Sequence, residues 1–412
     1  MSPQRRRWLA RLAGVSAGVT VGVTVGMTAS LRAAAQAVSG EPTDTVRRGR
    51  AISFPRDHGA HLAARIEWWY ATGWLLPSEG AERINANPNA NANANVNTAA
   101  DNQNLLGFQI TFFRSRTGLA STLPGRFAPR QLLFAHAAIT DLAGGKHPHD
   151  QRLVRWSEAP DAATGAASVI DGAVHIGDWS LKRSAELSAS RWRAQIAAKD
   201  FSIDLNLDTT QPPLLQGDAG FSRKGPQEQQ ASHYYSLPQL AAAGTLRLPG
   251  AQRPGPALAG RGWLDQEWSD QILHPDAVGW DWIGMNLFDG SALTAFELRR
   301  ADGSTLWAGG SFRSGAQGAA SRSFEPGEVQ WTPGRIWRSP VTRANYPVQW
   351  AVRTPAGTFT VRSLADAQEL DGRGSTGAIY WEGLSELLNA QGQRVGLGYL
   401  EMTGYAGRLQ MG

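Results

Sequence analysis

The 412-residue chain has no cysteine. That excludes disulfide scaffolds, thiolate zinc sites and thiol nucleophiles. It also lacks a Gly-x-Ser-x-Gly elbow, which counts against an α/β-hydrolase. Long helical patterns are missing. With 46 Gly and 22 Pro the chain is punctuated too often for long helices. A short helix-like piece, Leu384 to Leu388, is too brief to carry weight. An excess of one charge is lacking as well. The five basic residues before position 38 are Arg5, Arg6, Arg7, Arg11 and Arg32, and without them 35 basic groups face 35 acidic ones. A neutral body has no long-range attraction for phosphate, which argues against nucleic acid as a partner. What the chain does have is 42% hydrophobic residues, 18% charged residues and 16 Trp. The first two figures exclude global disorder. The third points to stiff aromatic walls as well as cores. The length fits two or three domains.

Residues 1–37 read as an export signal. Arg5-Arg6-Arg7-Trp8-Leu9 has the twin-arginine pattern. A Gly/Ala/Val/Thr stretch from Ala13 to Leu31 follows, and Ala35-Gln36-Ala37 offers a small-residue cleavage site. The competing reading is an uncleaved anchor, but the stretch is Gly-rich and its apolar core is short for a span. The expectation is a periplasmic or secreted protein exported by the twin-arginine route. It would touch membrane only through this segment or peripherally. Residues 38–49 would be a linker.

The body is expected to be all-β. Short runs such as Leu106 to Phe113, Phe201 to Leu207 and Thr358 to Arg362 alternate apolar and polar residues between turn signals. Many such strands indicate a sandwich or barrel. The two halves carry the same order of signals. Trp68 and Tyr70 are echoed by Trp280 and Trp282. Phe201-Ser202-Ile203 is echoed by Phe359-Thr360-Val361, and Tyr234-Tyr235-Ser236 by Tyr380-Trp381-Glu382. The run from Gly260 to Asp265 is echoed by that from Gly396 to Glu401. Insertions in the first copy absorb the changing offset. They are the Asn-rich run 85–97, read as a solvated loop, and the polar stretch 209–232. The expectation is an internal duplication, with one unit over 50–270 and the other over 271–412.

Glu67-Trp68-Trp69-Tyr70, Tyr234 to Leu240, Gly262 to Gln271 and Gly279-Trp280-Asp281-Trp282 resemble the family of secreted proteins that includes carotenoid 1,2-hydratases and AttH-like proteins. The resemblance covers roughly residues 50–412 and departs from many relatives at Gln266. It implies two consecutive lipocalin-like antiparallel β-barrels and a hydrophobic isoprenoid or lipid-like ligand. It also implies, with no cofactor, hydration of an isolated C=C bond. Through it, His233, Tyr235, Trp263 and Asp265 are the expected acid/base and aromatic cluster. Glu67, Trp69, Glu267, Trp280 and Trp282 are expected against the ligand.

The residue chemistry is coherent with that cluster. Alternate strand residues share a face, which groups Trp263, Asp265 and Glu267, and separately His233 with Tyr235. A carboxyl inside an apolar barrel stays protonated near neutrality and can act as general acid. Aromatic faces stabilise a cation, and an imidazole can take a proton from water. The plain alternatives are an Asp265–Arg261 pair with core aromatics, and Glu67 as a structural partner for an Arg. A second function class stays open: a non-catalytic carrier that presents a lipid to an ABC-type envelope transporter. Gly372 to Gly377 matches G-x-G-x-x-G but precedes a strand-like run, so it reads as a turn. His147-Pro148-His149-Asp150 and His58-x-x-His61 lack a third fixed ligand, and no metal is expected at either.

Overall fold

A computed structural model describes residues 46–409, apart from 79–101, 103, 119–128, 161, 187–188, 272 and 317–318. The export segment 1–37, most of the 38–49 linker and the Asn-rich run 85–97 lie outside the described residues.

Strands carry the fold, with a short 3-10 turn at Arg56–His58. Leu384 to Leu388 belongs to the strand Ala378–Leu388 and not to a helix. The strands form two large antiparallel sheets, one of 13 strands and one of 10. In the first, Ile66–Pro77 pairs with Leu106–Arg116 on one side and with Leu258–Ser269 on the other. In the second, Ala277–Leu287 is flanked the same way by Ala292–Arg300 and Arg394–Met402. Each copy thus pairs its first strand with its last, so a meander curls back towards closure.

The registers superimpose. Tyr70 faces Asp265 across the first such pair as Trp282 faces Glu401 across the second. Ser236 faces Asp265 as Glu382 faces Glu401. All four sequence echoes fall on strands with equivalent places in the two sheets. The fold is all-β and duplicated.

Each barrel is filled. One core cluster, including Trp69, Phe112, Trp192, Tyr235 and Trp268, occupies the first. Another, including Met285, Trp331, Trp350 and Trp381, occupies the second. A third cluster lies between the sheets and joins Tyr70, Trp74 and Trp263 to Trp282, Phe296 and Tyr399. The strand Ile66–Pro77 therefore buries both faces, with Trp69 turned inward and Tyr70 turned to the neighbouring sheet.

A bulge fixes the two sheets to each other. Pairing slips between Leu237 and Leu240, and Gln239 adopts φ +56°. Its backbone N–H donates to Asn286 Oδ1 at 2.8 Å. Its amide donates to Leu287 O at 2.9 Å and Ser291 O at 2.7 Å. These bonds offset the cost of a left-handed non-glycine residue.

Candidate functional site

A cavity opens between the two barrels, not inside either. Its volume is about 110 Å³. Its walls come from equivalent positions of the two copies: Trp68 with Trp280, Tyr70 with Trp282, Tyr234 with Tyr380, and Asp265 with Glu401. The two copies thus contribute matching residues to one cavity.

Asp265 projects into it from Leu258–Ser269. The Tyr234 hydroxyl donates to Asp265 Oδ2 at 2.5 Å, and Trp263 Nε1–H donates to Oδ1 at 2.6 Å. Trp282 Nε1–H donates in turn to the Tyr234 oxygen at 3.2 Å, so the second copy helps to orient the first copy's acid. Burial pushes the Asp265 carboxyl up to about 7, against the opposing pull of its hydrogen bonds. Arg261 is not its partner. That guanidinium reaches Gln239 O at 3.4 Å.

Three more carboxyl groups line the same space. Glu267 is paired with Lys224 at 3.1 Å and accepts a short hydrogen bond from Ser232. Glu401 is pushed up to about 7 by burial, with Asp265 among the charges that add to the shift. Glu382 stands opposite Glu401 in the ladder, and burial followed by Glu401 holds it well above the carboxylate range. Its Oε1 and the Tyr70 hydroxyl are buried with no hydrogen-bond partner among the described residues. Lys224 Nζ lies 4.7 Å from the centre of the Tyr234 ring and 4.1 Å from that of Phe296.

The expected cluster is divided. Asp265 and Trp263 share the face turned to the second sheet, and Glu267, Trp280 and Trp282 line the same cavity. His233 and Tyr235 point the other way, into the first barrel. His233 sits between Phe221 and Trp268, and burial followed by Arg50 pushes it down to about 4. Tyr235 donates to Gln266 Oε1 at 2.6 Å and meets His58 Nδ1 at 2.6 Å. Parity is the reason: His233 pairs with Trp268 and Tyr234 with Glu267, so the tyrosine on the cavity face is Tyr234.

Glu67 and Trp69 are also absent from the cavity. Glu67 accepts from Arg114 at 3.0 Å and from the His61 backbone at 2.8 Å, and meets His61 Nδ1 at 2.7 Å. Although burial raises its carboxyl, His61 and Arg114 overcome this and lower it overall. This buried network pins the segment before the first strand into the end of the first barrel, so Glu67 is a structural partner of an Arg. Trp69 donates to His58 O at 3.1 Å within the same plug. Sequence reasoning did not name Tyr234, Glu382 or Glu401 as site residues, although the echoes of Asp265 by Glu401 and of Ser236 by Glu382 were the signal for the two acids.

Gly372 to Gly377 forms the turn between strands Glu369–Gly372 and Ala378–Leu388. His58 meets the Tyr235 hydroxyl, and His61 meets Glu67 and Asp57.

Comparison with known proteins agrees with this architecture. The AttH-like family profile matches residues 92–405. The crystal structure of an AttH-type protein from Nitrosomonas europaea is similar at 41% identity and TM-score 0.74, covering 88% of this chain and 99% of that one. Kievitone hydratase from Nectria haematococca shares the fold at 16% identity and TM-score 0.59, over 89% of this chain and 97% of that one. No curated protein sequence matches the chain.

Proposed function

The chain belongs to the AttH-like family, and from that premise and the cavity we propose that it binds a hydrophobic isoprenoid or lipid-like molecule between its barrels and adds water to an isolated C=C bond. One observation carries the reading: a carboxyl held near neutrality by burial is fixed by Tyr234 and Trp263 on the wall of an aromatic cavity. Such a group is a competent general acid at ordinary pH.

The atoms balance without a cofactor. Protonated Asp265 gives its proton to the less substituted carbon, and the π pair becomes the new C–H bond. A tertiary cation remains, facing the Tyr70 and Trp282 rings, each worth about 0.5–2 kcal/mol to it. Water adds through oxygen and loses a proton to a carboxylate. Glu401 is the base within the cavity, the role that His233 cannot take from the opposite face of the sheet.

A second reading has its own support. The twin-arginine pattern at Arg5-Arg6 favours a periplasmic carrier that hands a lipid to an ABC-type transporter. Asp265→Asn separates the two. Lycopene in heavy-oxygen water serves as the turnover probe, and quenching of the cavity Trp residues reports binding. The hydratase reading expects turnover to fall at least about 100-fold with binding unchanged. Wild-type protein that binds lycopene without incorporating heavy oxygen leaves the carrier.

A further inference from the structure

Four carboxyl groups and one ammonium share this enclosed space. Glu267 and Lys224 cancel each other as an ion pair. Glu382 and Glu401 stand directly opposite in the ladder. Two like charges there are strongly disfavoured in an apolar setting, so Glu382 stays neutral. Asp265 and Glu401 remain, at equivalent positions of the two copies, with no ion pair to either among the described residues. Their other titratable neighbours are the hydroxyls of Tyr70, Tyr234 and Tyr380, which burial holds neutral. Asp281, just beyond Glu401, is tied to Arg299. The walls already accept one cation, since the Lys224 ammonium rests over the Tyr234 and Phe296 rings.

We propose that Asp265 and Glu401 together hold a single negative charge in an aromatic box, and that the cavity is a binding site for lipophilic cations of the trialkylammonium class. The inference stands on the charges and rings of the cavity and does not require turnover. Desolvated ammonium groups gain both from the ring faces and from the shared carboxylate. Either carboxyl alone can carry that charge, because removing one relieves the repulsion on the other.

The test is binding of N,N-dimethyldodecylamine against 1-dodecanol, followed by Trp fluorescence below micelle-forming concentrations. The amine is expected to bind at least about tenfold tighter at pH 7. Its advantage should grow between about pH 5 and pH 8, as the pair loses a proton while the amine keeps its own. Asp265→Asn and Glu401→Gln singly should retain the advantage, and the double variant should lose it. Equal affinities in the wild type overturn the proposal, as does a double variant that still prefers the amine. Should the double variant not fold, a pH-independent amine preference in the wild type overturns it alone. Amine selectivity without lycopene hydration would leave this inference standing and remove the hydratase.

Discussion

Asp265 receives hydrogen bonds from Tyr234 and Trp263 but makes no ion pair among the described residues. Glu67, in contrast, is met by Arg114 and His61. Both are buried, and they titrate in opposite directions. The difference is the partner: the neutral donors on Asp265 do not repay the desolvation of an anion, whereas His61 and the Arg114 guanidinium together do so for Glu67. It has a consequence for stability. A carboxyl whose folded value is raised contributes stability that is fully present below its unfolded value near about 4. That contribution is lost as pH rises through about 7, the value for Asp265 and Glu401. Asp265→Asn should therefore gain on the wild type in thermal midpoint as pH is raised from about 5 to 8. Parallel midpoint curves across that range would sink this expectation. Sequence reasoning offered Glu67 as a structural partner for an Arg, but only the fold identifies that residue as Arg114.

Strands next to the inter-barrel contact are buried on both faces. In Ala277–Leu287, Ile283 and Met285 fill the second barrel while Trp282 turns to the first. Gly284 makes the close approach possible. A Cβ there would lie 2.3 Å from the Trp282 ring and 3.1 Å from that of Trp263. The two rings meet edge to face with centroids 6.3 Å apart. Gly284→Val should displace Trp282 and lower stability by about 1–3 kcal/mol through overpacking. Urea unfolding followed by Trp fluorescence checks this, and an unchanged midpoint would refute it. The same double burial explains why alternation named the faces without saying which faced inward. A strand with one wet face identifies its core side by polarity. Here Trp263 and Leu264 are both buried, and either could have been the lumen.

At the scale of the molecule, the two sheets share a core cluster and the Gln239 stitch. Neither sheet can unfold without exposing the large aromatic surface of the other. Calorimetry should show one transition whose calorimetric and van't Hoff enthalpies agree. Two resolved transitions would mean that the barrels are energetically independent. The location of the cavity belongs to this scale too. Trp and Leu side chains occupy both lumens. The cavity lies instead between the two sheets, beside the core cluster they share.

The sequence by itself determined the all-β character, the duplication and the set of residues that share each strand face, because these follow from period and order along the chain. It also marked Asp265, Glu267, Trp280 and Trp282, which the fold does bring to one cavity, and Trp263, which hydrogen-bonds Asp265 from behind the wall. Only the tertiary structure decided that His233, Tyr235, Glu67 and Trp69 look into a filled barrel, and that Tyr234, Glu382 and Glu401 look out at the partner sheet. The physical reason is that inside and outside are both apolar at these strands. Which side holds the ligand space then depends on how the two sheets pack, a long-range property that no local spacing encodes.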